Sequence, residues 1–158
     1  MIPHVETVEE IEEVKKLIGI RPIKVLAKIQ NCIALRNLSA IIEKADGLII
    51  ERWMLSQDFP PAHLVFVQDF IINKCKLLAK PVILASRIIE SMSKKPLPSP
   101  SDVADIALAI TQGVDAFSLN KEIAKCENFL DCLKALCKIC ISTENNTDPF
   151  QDYYALEE

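Results

Sequence analysis

Glycine is scarce in this chain: only three of its 158 residues are glycine. Neither a G-x-G-x-x-G fingerprint nor a Walker loop is present, so a nucleotide-binding version of an open α/β sheet has no support in the sequence. An excess of basic residues is also lacking, since the net charge is −4. We therefore expect no basic surface for nucleic acid or anionic lipid.

Long apolar runs and a secretory signal are lacking as well. No uninterrupted apolar stretch is long enough to cross a bilayer. Residues 1–4 lead straight into an acidic predicted helix, without the basic and then apolar regions of a leader peptide. We therefore expect a cytoplasmic protein with no membrane partner, whose cysteines are reduced thiols.

Four of the six cysteines cluster late in the sequence, and Cys137 and Cys140 form a C-x-x-C pair. Such a pair can indicate a metal or redox site. Apolar residues recur at helical spacing in the same segment, however, and no second ligand pair stands at the spacing of a zinc site. We favour cysteines that pack as small hydrophobic side chains on a buried helix face. The six are Cys32, Cys75, Cys126, Cys132, Cys137 and Cys140.

What the chain does have is enough apolar sequence for one domain with a sizeable core, since half of its residues are hydrophobic. Short apolar segments alternate with segments of helical periodicity, an order typical of βαβ units in a parallel sheet. We predict strands at residues 22–28, 48–51, 81–85 and 114–119, and helices at residues 7–18, 32–44, 60–79, 100–112 and 128–141.

The most informative segment reads PVILAS at residues 81–86 and continues as ESMSKKP at residues 90–96. A short buried strand here delivers the Ser86 hydroxyl at its carboxyl end, where parallel α/β folds place their chemistry. The segment resembles the signature of the pyruvate kinase family, PVI-x-AT followed by ESM-x-KKP.

Further motifs resemble the same family in the same order along residues 3–141. The resemblance implies a TIM barrel, of which this chain corresponds to the tail of the fourth strand and to strands five to eight. We therefore expect a partial barrel domain over residues 1–142 and an acidic, disordered tail over residues 143–158. The matching motifs are KVLAKIQN (24–31) for the family's KIEN, DGLIIERWMLS (46–56) for DG-(apolar)-ARGDLG, SDVA (101–104), GVDAF (113–117), and NKEIAK (120–125) for SGETAK.

The resemblance also implies the glycolytic transfer of a phosphoryl group between phosphoenolpyruvate and ADP, with Mg²⁺ and K⁺, which depends on positioning and charge neutralisation. Lys28 stands at the family's phosphoryl-stabilising lysine, and Ser86 replaces a threonine that contacts substrate and assists proton delivery. The two carboxylates that hold Mg²⁺ fall at Gln30 and Met54, and a thioether is a poor ligand for a hard cation. Trp53 replaces a glycine whose backbone lies against the substrate, so we expect its indole to fill the pocket.

Glu51 and Asp58 are carboxylates that could replace the lost ligands, although neither stands at a matching position. By resemblance, the K⁺ ligands and most nucleotide contacts fall in parts of the family fold that have no counterpart here. Scaffold motifs beside replaced metal ligands are the pattern of a degenerate enzyme, or of a partial gene product.

The sequence leaves two functions open. The first is a pyruvate kinase family protein that is inactive or strongly impaired. The second is a non-catalytic half-barrel module that pairs with itself or with a full-length paralogue. Pairing is expected because parallel strands need cover on both faces and because open strand edges recruit other strands.

Overall fold

The computed structural model describes residues 1–145 and confirms the predicted α/β class with a parallel sheet. The described chain divides into two compact units, which are Met1–Ile88 with Gln112–Asn120, and Ile89–Thr111 with the described residues from Lys121 to Asn145. The helices are α1 (Val8–Ile18), α2 (Cys32–Arg36), α3 (Leu38–Lys44), α4 (Arg52–Asp58), α5 (Leu64–Leu77), α6 (Pro100–Gln112), α7 (Lys121–Ala124) and α8 (Phe129–Asn145). The strands are β1 (Leu26–Ile29), β2 (Gly47–Glu51), β3 (Val82–Ala85) and β4 (Ala116–Ser118).

The first unit is built on a four-stranded parallel sheet in the order β1-β2-β3-β4. Strand β2 lies inside it, and its first four residues are buried. Because β2 is covered on both faces, it reads as a continuous apolar run rather than an alternating one. The register places Glu51 beside Ala85, and Ala85 beside Ser118. The carboxyl ends of these strands therefore lie in one row at one edge of the sheet.

The two outer edges of the sheet differ. Beside β1, the N–H of Ile2 donates to the carbonyl of Leu26 at 2.8 Å, and the N–H of Lys28 donates to the carbonyl of Ile2 at 3.0 Å. This parallel bridge agrees with the expected tail of a preceding strand. At the other edge, Ala116 of β4 is exposed and Phe117 is half-buried.

The amino ends of β1 and β3 are each held by an aspartate that directly precedes the neighbouring strand, β2 or β4. The carboxylate of Asp46 accepts the N–H of Val25, and that of Asp115 accepts the N–H of Val82, both at 2.7 Å. Gly47 opens β2 where a Cβ would lie 2.9 Å from the carbonyl oxygen of Pro81. The close approach of β2 to the start of β3 therefore requires glycine at this position.

The sequence mispredicts several element boundaries. The helix predicted over residues 32–44 is two helices, since Asn37 takes a non-helical ψ of 9° and its side-chain amide donates to the carbonyl of Glu6 at 2.7 Å. The strand predicted from residue 22 begins only at Leu26. Helices α4 and α7 are not predicted at all. Thr7 followed by Glu10 predicts a capping box at the start of α1, and the structure confirms it, with the Glu10 carboxylate accepting the N–H of Thr7 at 2.9 Å.

Helix α5 is shorter than predicted and turns a different face inward. A separate 3-10 turn covers Pro61–His63, and the helix ends at Leu77. Helical periodicity over residues 60–79 predicts an inner face that includes Ile71, Cys75 and Leu78. Ile71 and Cys75 are buried, but Leu78 is 38% exposed. The buried face instead includes Gln68, whose side-chain amide donates to that of Gln112 at 2.6 Å. A polar residue can take this place because its hydrogen bond is satisfied.

The second unit packs α6, α7 and α8 with a 3-10 turn at Glu90–Ser93. The sequence allows either Ser99 or Ser101 to cap α6, and the structure assigns the cap to Ser99: its hydroxyl accepts the N–H of Asp102 at 3.1 Å, and the Asp102 carboxylate accepts the N–H of Ser99 at 2.9 Å. Its buried apolar side chains are Ile89, Met92, Ile106, Ala109, Ile123, Cys132 and Leu136.

Helix α8 ends at Asn145, beyond the expected domain boundary at residue 142. The rest of the tail predicted over residues 143–158 lies outside the described residues. Within residues 1–145, no helix combines the length and the hydropathy needed to span a membrane.

Candidate active site

A carboxylate at the end of β2 joins the two residues predicted to be catalytic. The ammonium of Lys28 lies 2.6 Å from one carboxylate oxygen of Glu51, and the Ser86 hydroxyl donates a short hydrogen bond to the other. Lys28 is 23% exposed and Glu51 is 16% exposed at the side chain. Three adjacent strands thus contribute one side chain each to a partly buried polar cluster, which we call the strand-end cluster.

Strand geometry explains why these side chains meet. Alternation along β1 buries Ile29 on one face and leaves Lys28 on the other. Glu51 is the last residue of β2, and Ser86 directly follows β3. The carboxyl ends of parallel strands meet at one edge, so residues distant in sequence converge there.

The turn after β3 has an unusual backbone. Ser86 and Arg87 have φ angles of 72° and 58°, in the left-handed region that favours glycine. A guanidinium nitrogen of Arg52 donates to the Ser86 carbonyl at 3.2 Å. Such backbone strain persists where surrounding contacts hold it and is common at functional sites. Here the turn holds the Ser86 hydroxyl against the Glu51 carboxylate.

Trp53, the residue expected to fill the substrate pocket, is 50% exposed on α4. The guanidinium carbon of Arg87 lies 4.1 Å from the centre of its ring, the geometry of a cation–π contact. Trp53 therefore lies beside the turn after β3, and the Arg87 guanidinium covers one face of its indole.

The two expected metal positions have neutral donors that are already engaged. The side-chain oxygen of Gln30 accepts the N–H of His4 at 2.5 Å, and the residue is 7% exposed. The Met54 sulfur lies 3.8 Å from the side-chain nitrogen of Gln57, one turn along α4. An engaged amide oxygen and a thioether do not fit Mg²⁺, which requires hard oxygen ligands in octahedral geometry.

The two carboxylates that could have replaced those ligands are engaged as well. Asp58 accepts the N–H of Cys32 at 2.7 Å, and Glu51 is shared between Lys28 and Ser86. Among residues 1–145, no group of three or more histidine, cysteine, aspartate and glutamate side chains is placed to hold a metal ion.

Sequence reasoning treated Glu51 only as a possible replacement ligand and missed that Lys28 and Ser86 share it. It also missed the contacts of Arg52 and Arg87. The available signal was position: a carboxylate that directly ends a buried strand must lie at the edge where the neighbouring strands also end.

Comparisons with known proteins identify the family to which the chain is similar. Residues 1–131 match the family model described as the barrel domain of pyruvate kinase. The chain is 31% identical to pyruvate kinase of Eimeria tenella over 153 residues, 96% of this chain and 29% of that protein. It is 29% identical to pyruvate kinase of Leishmania mexicana, covering 98% of this chain and 31% of that protein. It is 34% identical to pyruvate kinase of Geobacillus stearothermophilus, covering 85% and 23%. The chain thus spans less than a third of the length of these relatives.

Proposed function

This chain belongs to the pyruvate kinase family, and we propose that it is a degenerate, partial member with little or no phosphotransferase activity. The observation that carries the proposal is the ion pair of 2.6 Å between Lys28 and Glu51. By resemblance, Lys28 is the lysine that would stabilise the phosphoryl group in transfer.

Phosphoryl transfer needs positive charge that is free to face the transferring group. In the strand-end cluster, the Lys28 ammonium is already neutralised by a carboxylate in contact with it. Glu51 stands at the alanine of the family's ARGDLG pattern, so its charge is an addition to the site. A phosphoryl anion would have to displace Glu51 from Lys28 or bear its repulsion.

The expected metal positions support the same proposal. The family's two magnesium carboxylates correspond to Gln30 and Met54, whose donors do not fit the ion. Retention of K⁺ has no support from matched residues either. The candidate substrates, phosphoenolpyruvate and ADP, and both ions therefore come from the family alone.

A coupled assay of pyruvate formation tests this proposal. The purified chain is assayed with phosphoenolpyruvate, ADP, Mg²⁺ and K⁺, beside a Lys28→Ala variant purified in the same way. We expect both proteins to form pyruvate at the same background rate, because any activity would come from pyruvate kinase of the expression host that contaminates both preparations. Turnover by the natural chain that disappears in Lys28→Ala would overturn the proposal.

Restoring both carboxylates separates the metal site from the rest of the chemistry. In the double variant Gln30→Glu, Met54→Asp, we expect calorimetry to detect Mg²⁺ binding that the natural chain lacks. We expect no turnover, since by resemblance most nucleotide contacts of the family lie outside the matched region. Failure of the double variant to bind Mg²⁺ would show that more than the two ligands has changed.

The second candidate function is an interaction module that pairs with a second copy or a full-length paralogue. The exposed edge of β4 favours it, because Ala116 faces water there and unpaired strand edges template association. Sedimentation of the natural chain should then show a dimer that Ala116→Lys abolishes. Ile20→Lys is the matched control, since Ile20 is fully exposed away from the sheet. A monomer in all three proteins would exclude self-pairing and leave only the paralogue.

A further inference from the structure

Two cysteine sulfurs lie close together in the second unit, apart from the strand-end cluster. The Sγ atoms of Cys126 and Cys132 are 3.7 Å apart. Cys126 lies in the four-residue link between α7 and α8, and Cys132 lies in the first turn of α8. Cys132 is fully buried, whereas Cys126 is partly exposed. One thiol of the pair can therefore be reached from solvent while the other stands behind it.

The local contacts hold both thiols in place. The Cys126 thiol donates to the carbonyl of Ile123 at 3.0 Å, and the Cys132 thiol lies 3.9 Å from the carbonyl of Met92. A disulfide has an S–S length of about 2.05 Å, so the sulfurs would have to approach by about 1.7 Å. Cys126 lies outside the helices, so a small shift of the link and of its side chain can supply that approach.

The surroundings of Cys126 are electropositive. It lines an open cavity of about 470 Å³ together with Lys94, Lys95 and Lys125, against a single carboxylate from Glu127. Reactive cysteines occur in electropositive and partly exposed surroundings such as these. Structural cysteines that are buried among apolar groups are inert by comparison.

The environment of Cys132 suits it to react second, after Cys126 has been oxidised. Burial, together with the neighbouring Cys126 sulfur, raises the pKa of the Cys132 thiol to about 11. Cys132 therefore stays protonated at neutral pH and is a poor first nucleophile, while its sulfur remains in contact with Cys126. Because of this contact, Cys132 can attack the Cys126 sulfur once that sulfur has been oxidised, and so form a disulfide.

We propose that Cys126 and Cys132 form a redox-active dithiol that a hydroperoxide converts to an intramolecular disulfide. The Cys126 thiolate attacks one peroxide oxygen, the O–O bond breaks, and hydroxide leaves, so that Cys126 becomes a sulfenic acid. The Cys132 sulfur then attacks the Cys126 sulfur and displaces hydroxide, which leaves as water with the Cys132 proton. Both cysteines are oxidised by one electron each, and one hydrogen peroxide is reduced to two waters.

Peptide mapping of the full chain tests the pairing. The reduced protein is exposed to one equivalent of hydrogen peroxide, alkylated, and digested without reductant by chymotrypsin, because no lysine or arginine separates Cys126 from Cys132 whereas Phe129 does. We expect the chain to lose two mass units and the Cys126 and Cys132 peptides to be linked. Alkylation of both cysteines after complete oxidation, or a Cys137–Cys140 link that forms first, would overturn the proposal.

Single variants test the order of the steps. In Cys132→Ala, the sulfenic acid at Cys126 has no resolving thiol and should be trapped by dimedone. In Cys126→Ser, both dimedone labelling and the mass loss should disappear. Cys137→Ser is the matched control on α8, and it should oxidise like the natural chain. Because Cys126 is partly exposed, its serine variant should keep the fold, which circular dichroism checks. Dimedone labelling at Cys132 in Cys126→Ser would reverse the assigned roles and contradict the proposal.

Discussion

The two ends of the parallel sheet differ in what their side chains do. At the amino ends, Asp46 and Asp115 bind backbone N–H groups of the strands, and Gly47 permits a close contact that a Cβ would block. At the carboxyl ends, Lys28, Glu51 and Ser86 bind one another. By their resemblance to the family's motifs, the residues that hold the scaffold agree with the pyruvate kinase family, whereas several at the chemical end differ. The scaffold can thus persist when the site changes, since stability and chemistry lie at opposite ends.

The largest expected loss of stability comes from a substitution at the amino ends of the strands. In Gly47→Ala, the new Cβ would lie 2.9 Å from the Pro81 carbonyl oxygen and from side-chain carbons of Leu26 and Pro81. Backbone cannot move away as a flexible side chain can, so we expect a loss of about 3 kcal/mol in the free energy of unfolding. Urea denaturation measures it.

Gly19→Ala is the matched control for that substitution. Gly19 combines a φ of 62° with a ψ of −134°, a conformation that L residues rarely adopt, but it has no neighbouring atom within 4 Å, so the added methyl group costs only backbone strain of about 1–2 kcal/mol. Equal losses in the two variants would mean that the close approach of β2 to Pro81 does not constrain the sheet.

Asp46 should make the amino end sensitive to acid. The hydrogen bond from Val25, with a smaller contribution from Lys15, lowers the pKa of Asp46 below its ordinary value of 3.8. The unfolded chain therefore takes up this proton first as the pH falls. The stabilisation is complete above pH 3.8 and is lost as the pH falls through the lowered pKa of the folded state.

Asp46→Asn isolates this effect. The amide can still accept the Val25 N–H but carries no charge, so we expect a loss of about 1 kcal/mol at neutral pH. The difference from the natural chain should shrink as the pH falls below 4, as measured by thermal unfolding across that range. Glu12→Gln is the control, because Glu12 pairs with Lys44 at an exposed site and should change stability less. A difference that grows in acid would contradict the assignment.

The same contrast explains what could be read from the sequence. The four strands and the longer helices follow in order from apolar periodicity and motif spacing, and the structure confirms them, although the short helices α4 and α7 are missed. The break at Asn37 could not be read, because it depends on a hydrogen bond to Glu6, which lies 31 positions away. The engagement of Gln30 by His4 and of Lys28 by Glu51 likewise depends on which strands are neighbours. Local pattern predicts elements, and only their assembly determines which side chains meet.

A smaller effect is expected at the carboxyl end. In Glu51→Gln, the Lys28 ammonium loses its counter-charge, while the amide oxygen can still accept the Ser86 hydroxyl. Because both charged side chains are partly exposed, we expect a loss of about 1 kcal/mol in stability. We also expect Glu51→Gln to bind inorganic phosphate or phosphoenolpyruvate more tightly than the natural chain does, which calorimetry measures.

A double-mutant cycle with Lys28→Gln separates the pair from the rest of the site. The gain in anion affinity should vanish when Lys28 is also removed, since the freed ammonium is its source. If the gain in anion affinity survives in the double variant, the anion binds elsewhere, and this would contradict the proposal that Glu51 suppresses Lys28.

The smallest effect is expected at Trp53, the single tryptophan of the chain. Its ring is half exposed and stacks on Arg87, so Trp53→Ala should cost only about 0.5–1 kcal/mol. Trp53→Phe keeps an aromatic face for the guanidinium and should recover part of that loss. If the indole also blocks the site, Trp53→Ala should raise anion affinity further in the Glu51→Gln background, and Trp53→Phe should raise it less. If Glu51→Gln binds the anion equally tightly with and without Trp53→Ala, then Glu51, and not the indole, keeps an anion from Lys28.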